Sequence, residues 1–338
     1  MTNSTPLLEV QHLRAHIGTP RGSVRAVDDV SFVLEPGQAL GVVGESGSGK
    51  SIMARAIMGL MPPRSACTGE VHLAGQDLFA LSKKEKQELW GKQIAMVFQD
   101  PGRSLNPVVR VERQITEGMR KHLGVSKSEA HTRALRLLNE VGVPDPEPRL
   151  RNYPHEMSGG MRQRVMLAIA LACEPVLLIA DEPTTALDVT IQRQILDLLR
   201  SVQRDRDMAM MLISHDLSVV AGRTDRVSVM YAGRLSETGP TREVFDAPQH
   251  RYTEALLEAT PSIATERHQR LRVIVGSLPD PVSPPSGCRF APRCEFGTAA
   301  CVDPGPELIT SSEEHQFACL HPVGDTARLA ASVGQEGG

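Results

Sequence analysis

Residues 41–51, Gly-Val-Val-Gly-Glu-Ser-Gly-Ser-Gly-Lys-Ser, constrain the fold of this 338-residue chain more than any other segment. Gly44, Gly49, Lys50 and Ser51 stand at the defining positions of G-x-x-x-x-G-K-[ST], with Glu45, Ser46, Gly47 and Ser48 between them. The apolar run Ala39–Val43 reads as a strand entering the loop, and the residues from Ser51 onward as the helix leaving it. Such a unit turns backbone N–H groups inward around a phosphate, and the helix N-terminus adds the positive end of its dipole. Lys50 would reach the β- and γ-phosphates of a nucleotide, and the Ser51 hydroxyl would ligate Mg²⁺. A glycine-rich turn without a ligand is the competing reading, and it leaves the flanking strand and helix unexplained.

Lys and Arg number 37 against 40 Asp and Glu, a formal net charge of −3. This balance offers no global electrostatic case for nucleic acid or an anionic membrane surface. The longest apolar run, Val165–Cys173, falls far short of the ~20 residues of a membrane helix. The start, MTNSTPLLEV, has neither a basic nor an apolar signal region, so a soluble chain that stays in the cytoplasm is expected. Cys67 and Cys173 stand alone and read as small buried hydrophobes. Cys288, Cys294, Cys301 and Cys319 crowd together, which in a reducing compartment points to metal or cluster ligation rather than disulfides.

Leu8–Gln11, Ala26–Val27 and Val30–Leu34 read as antiparallel strands, with turn chemistry at residues 19–22 and 36–37. Gly69–Leu73 and Gln93–Phe98 are further strands. Residues 100–165 read as a helical insertion, with a capping box at Ser126–Glu129 and an apolar face of Ala134, Leu137, Leu138 and Val141. The proline-rich run 143–154 is expected to be an irregular connector. Val176–Ala180 and Met208–Ile213 have the all-apolar character of parallel strands buried on both faces. Asp188 can cap the next helix, and residues 231–234 mark a hairpin turn. These elements predict an α/β nucleotide-binding fold: a mixed-sheet core, an antiparallel β subdomain and the helical insertion, over residues 1–260. A small cysteine-containing domain is expected at 261–338.

Val176–Ala180 ends in Asp181-Glu182. An acidic residue at the carboxyl end of a buried strand beside a phosphate loop can hold Mg²⁺, and the next carboxylate can orient or deprotonate the attacking water. A solvated acidic turn explains one such residue better than two. Ser158-Gly159-Gly160, ahead of a long helical run with Gln163, is a second helix N-terminus suited to a phosphate. A second such terminus suggests a nucleotide held by another subunit; a plain serine cap is the alternative.

The phosphate loop, Gln99, Ser158-Gly159-Gly160 with Gln163, Asp181-Glu182-Pro183, Ala186-Leu187-Asp188 and Ser214-His215-Asp216 follow the order found in ATP-binding-cassette ATPases. The chain resembles that family over about residues 7–260. The resemblance implies that Ser158, Gly159 and Gly160 complete the ATP site of a partner cassette. It further implies that Gln99 senses Mg²⁺ and the membrane partner, Asp188 sits at the dimer seam, and His215 contacts the γ-phosphate. Glu182, His215 and Gln99 are thus the expected catalytic residues, and Ser51, Gln99 and Asp181 the Mg²⁺ residues. The aromatic ring that such cassettes usually stack on adenine falls near His16 or Ile17, with no Tyr or Phe nearby.

More finely, the chain is similar to ATPase subunits of oligopeptide/dipeptide-type importers. The similarity lies at Val97–Pro101 running into Ser104–Pro107, at Ser158–Gln163, at Arg251–Leu257, and in the tail from Pro284 through Cys288, Cys294 and Cys301 to His315–Cys319. Four thiolates suit a [4Fe-4S] cluster or tetrahedral Zn²⁺, and a set of buried thiols without metal is the third reading. The resemblance favours the cluster, in a structural role. It also implies a second cassette, expected to be a paralogue, two transmembrane permease subunits docking near Asp100–Val111, and an external solute-binding protein acting indirectly. The expected place is the cytoplasmic face of the cell membrane. The rival class is a soluble cassette ATPase working on nucleic acid or ribosomes, but no coiled-coil insertion, second cassette or large basic face is present for it. The cargo is not legible in this chain, because other chains contact it.

Overall fold

The computed structural model describes residues 5–184, 188–260, 273–311 and 314–324. The chain opens with a long hairpin of β1 (Leu8–Thr19) and β2 (Gly22–Leu34), paired from Leu8↔Leu34 to Thr19↔Gly22. The three short strand pieces expected here run together, because the turn chemistry concentrates at Pro20-Arg21, where Thr19 Oγ1 donates to the Gly22 carbonyl (2.8 Å). Register shifts at residues 10–16 let β1 bend while staying paired. β3 (Ala39–Val43) passes through the phosphate loop to α1 (Lys50–Ile57). β4 (Ser65–Leu73), longer than predicted, and β5 (Gln76–Asp77) complete an antiparallel sheet in the order β2-β1-β4-β5.

α2 (Lys83–Leu89) and β6 (Ile94–Val97) lead into the helical insertion. This holds α3 (Pro101–Ser104), α4 (Val111–Gly118), α5 (Lys127–Glu140), α6 (Pro146–Arg151) and α7 (Gly159–Leu171). Ser126 caps α5 by accepting from the Glu129 N–H (3.2 Å), but the Glu129 carboxylate turns away to Arg133 (2.7 Å), so only half of the expected capping box forms. The run expected to be irregular contains α6. Pro146 stands in the first turn of that helix, where its missing N–H costs nothing.

β7 (Leu177–Asp181), α8 (Val189–Asp205), β8 (Ala209–Ser214) and α9 (Leu217–Val220) return the chain to the central sheet. β9 (Arg226–Tyr231) and β10 (Arg234–Pro240) form the expected hairpin, its turn residues Ala232 and Gly233 both at positive φ (45° and 90°). α10 (Thr241–Asp246) and α11 (Arg251–Ala259) follow, then α12 (Ala299–Val302), β11 (Ile309–Thr310) and β12 (Gln316–Phe317). The second sheet has the order β11-β12-β10-β9-β3-β8-β7-β6, parallel from β9 to β6.

Alternation along the central strands divides the core. Leu177, Ile179, Met211 and Ile213 pack toward the antiparallel sheet, whereas Leu178, Ala180, Met210 and Leu212 pack toward the helical side. All are buried, the condition that makes these strands continuously apolar. The C-terminal segment is bound into the same sheet: β12 pairs with β10, and fully buried Glu237 accepts from the Gln249 N–H (2.7 Å) and the His250 N–H (2.9 Å) while contacting His315 Nε2 (2.7 Å).

Candidate active site

Strands β3, β8, β7 and β6 run parallel and adjacent, so their carboxyl ends open on one edge of the sheet. The phosphate loop leaves β3, His215 follows β8, Asp181 ends β7, and Gln99 lies just beyond β6. Residues far apart in sequence meet there because parallel topology places their strand ends together.

The loop is held tightly. A Cβ on Gly44 would lie 2.0 Å from the Met230 carbonyl oxygen, and one on Gly49 2.1 Å from that of Ala26, so the packing as well as positive φ requires glycine. Lys50 is buried and donates to the Gly44 carbonyl (2.7 Å), the Glu45 carbonyl (2.9 Å) and Ser48 Oγ (3.2 Å). Burial pushes its pKa down to about 8, against the opposing pull of Glu182, Asp181 and Glu45. Ser51 Oγ donates to Asp181 Oδ1 (2.7 Å), and burial raises the Asp181 carboxyl above its ordinary range. These two groups form a hard oxygen pair of the kind Mg²⁺ takes.

Glu182 lies between the other two predicted catalytic residues. Gln99 Nε2 donates to its Oε2 (2.8 Å), and His215 Nδ1 lies 3.3 Å from its Oε1. Its backbone takes a positive φ of 46°, held by an N–H bond to the Ile213 carbonyl (3.0 Å). A non-glycine residue kept in that conformation by its neighbours is a feature that gathers at functional sites. An open cleft of about 690 Å³ runs from Lys50, Ser51, Gln99 and Glu182 to Ile17 on the β1–β2 hairpin. His16, beside Ile17 in β1, does not line it.

Ser158, Gly159, Gly160, Gln163 and Asp188 lie away from this cleft. Exposed Ser158 caps α7 by accepting from the Met161 N–H (3.3 Å), and Gln163 is buried. Asp188 caps α8 by accepting from the Ile191 N–H (2.9 Å). A Cβ on Gly160 would lie 3.2 Å from Ile191, so the starts of α7 and α8 share one surface. Ala186 and Leu187 lie outside the described residues.

Three further residues fasten the phosphate loop. Arg293, from the C-terminal segment, donates to Glu45 Oε2 (2.9 Å) and to the Tyr231 hydroxyl (3.1 Å). The Tyr252 hydroxyl accepts from the Glu45 N–H (2.8 Å). The phosphate loop is thus fastened from outside the cassette motifs. Tyr252 lies in Arg251–Leu257 and Arg293 in the tail from Pro284 to Cys294, segments that carry the subfamily resemblance but do not by themselves point to the phosphate loop.

Cys288, Cys294, Cys301 and Cys319 are free thiols. Burial pushes Cys288 up to about 11 and raises Cys294 and Cys319, and the neighbouring thiolates of Cys301 and Cys319 add to the effect on Cys288 and Cys294. The four therefore share one neighbourhood. Among the described residues, however, no group of three or more His, Cys, Asp or Glu side chains is arranged to hold a metal ion, so the expected ligand set is not assembled as a coordination shell.

Fold and loop together define a phosphate-loop nucleotide-binding protein. Residues 27–185 match the ABC transporter family model, and residues 236–301 that of the oligopeptide/dipeptide transporter C-terminal region. The dipeptide transport ATP-binding protein DppD of Escherichia coli (strain K12) is 47% identical over 323 residues, covering 95% of this chain and 98% of that one. The oligopeptide transport ATP-binding protein OppD of Bacillus subtilis (strain 168) is 48% identical over 326 residues, covering 95% and 91%. A dimeric ATP-binding cassette solved in a post-hydrolysis state with ADP and Pi superposes with a TM-score of 0.63 at 25% identity, over 70% of this chain and 99% of that one. The chain belongs to the ATP-binding subunits of ABC transporters, in the oligopeptide/dipeptide group.

Proposed function

We propose that this chain binds Mg-ATP in the cleft beside the phosphate loop and hydrolyses it to energise import of di- or oligopeptides, or a related small solute, through a membrane transporter. The convergence of the Ser51–Asp181 pair and the Gln99–Glu182–His215 line on the loop carries the reading. Loop N–H groups and Lys50 hold the β- and γ-phosphates, Ser51 and Asp181 supply oxygen ligands to Mg²⁺, and Gln99 stands beside them. Bound Mg²⁺ would neutralise charge on the transferring phosphoryl group. Glu182, positioned by Gln99, orients the attacking water and takes its proton, and His215 contacts the γ-phosphate.

Ser158, Gly159, Gly160, Gln163 and Asp188 face a second cassette, by this reading a paralogue, and close its ATP site. Their shared surface away from the chain's own cleft supports this assignment. Two permease subunits would dock at residues 100–111 and the helical insertion, where Val108 is 79% exposed. An external binding protein would deliver the solute. No helix among the described residues is long and apolar enough to cross a membrane, in keeping with a subunit held at the cytoplasmic face by such partners. The division into a cassette (1–260) and a C-terminal unit (261–338) belongs to this proposal, as does a [4Fe-4S] cluster, or Zn²⁺, on the four cysteines. The mutual influence of Cys288, Cys294, Cys301 and Cys319 supports a shared site on them, with the cluster favoured by the resemblance; iron, sulfide and zinc assays on anaerobically purified protein decide it.

Glu182→Gln tests the core of the reading. Phosphate release should fall by about 10²–10⁴ while Mg-ATP binding persists. Hydrolysis at the wild-type rate would refute the role of Glu182.

A further inference from the structure

With its phosphates in the loop, a nucleotide must lay its base along the rest of the cleft. That end is lined on one side by Ile17, Val24 and Arg25 of the β1–β2 hairpin, and on the other by Leu278, Pro279 and Pro281 of the C-terminal segment. None of the described residues lining the cleft is aromatic. A purine face is flat and apolar, and the carbons this site offers to cover it are aliphatic and proline ones.

The segment is fastened on both sides. Arg21 pairs with Asp280 (2.9 Å), and the Arg25 N–H donates to the Pro281 carbonyl (2.9 Å). Arg293 donates to the Val275 carbonyl (2.9 Å) and the Ile274 carbonyl (3.2 Å) while it holds Glu45 of the phosphate loop. Leu278 packs against the main core and leans over the loop: a Cβ on Gly47 would lie 3.3 Å from its Cδ1. We propose that Leu278–Pro281 forms the base-side wall of the nucleotide cleft, with Leu278 and the flanking prolines against the purine face and the Arg21–Asp280 pair latching the wall to the hairpin. The proposal rests on the ATP-binding reading above. It makes the C-terminal unit part of the site in its own chain, and it predicts selection for a purine ring rather than for one purine edge.

The test is calorimetric titration of full-length protein with Mg-ATP, alongside Mg-tripolyphosphate, which fills the phosphate loop but has no base. Leu278→Ala should weaken Mg-ATP about tenfold and leave tripolyphosphate unchanged. Because Leu278 also touches the core, exposed Asp280→Asn provides a second arm, expected to weaken Mg-ATP about threefold with tripolyphosphate again unchanged. Unchanged Mg-ATP affinity in both Leu278→Ala and Asp280→Asn, or equal loss of both ligands, would overturn the proposal. Failure of the wild-type protein to bind Mg-ATP would instead overturn the ATP reading itself.

Discussion

Arg293 joins the C-terminal segment to the phosphate loop, and its replacement by alanine gives a measurable account of that joint. Its side chain is 6% exposed, and it serves Glu45, the Tyr231 hydroxyl and two backbone carbonyls at once. Glu45 is 26% exposed and keeps access to water, so the ion pair itself contributes only about 1 kcal/mol. Leaving the Tyr231 hydroxyl and the carbonyls without their donor adds roughly 2 kcal/mol. Arg293→Ala should therefore cost about 3 kcal/mol, a fall in Tm of roughly 4 °C for a chain of this size. A double-mutant cycle with Glu45→Gln isolates the pair: the double variant should be less destabilised than the sum of the singles by about 1 kcal/mol. Additivity within ~0.3 kcal/mol, measured by denaturant unfolding, would show that the two residues do not interact and would refute the joint.

Lys50 binds its proton less tightly when folded than when unfolded, so the unfolded state carries more protons between about pH 8 and the ordinary lysine value, and apo-protein stability should rise with pH across that window. A triphosphate favours the charged amine, so Mg-ATP binding near pH 8.5 should take up a fraction of a proton and weaken as pH rises. Calorimetry in buffers of different ionisation enthalpy would detect the uptake, and Lys50→Met should abolish it. In metal-free protein, Cys288, held up at about 11, should be alkylated at pH 8 more slowly than an exposed thiol, as peptide mass spectrometry would report; equal rates would contradict its burial.

Asp181, Glu182 and the phosphate loop were legible because each follows a short all-apolar strand, a pattern carried by neighbouring residues. The cap on α8 at Asp188 was equally local, needing only the Ile191 N–H. Local signals fail where distant groups or chain position compete with them. Pro146 looked like a breaker but stands in a helical first turn, and Glu129 chose Arg133 over its own cap.

The sequence by itself determined which residues gather at the site, the phosphate loop with Asp181, Glu182, Gln99 and His215, since motif spacing and strand-end position specify them. Only the tertiary structure decided how that site is enclosed. Arg293 reaches Glu45, Arg289 reaches Asp28, and Pro281 meets Arg25 across more than two hundred residues. No local periodicity encodes such pairings. They arise when burial brings the C-terminal segment onto the hairpin and the buried guanidinium groups must find partners there.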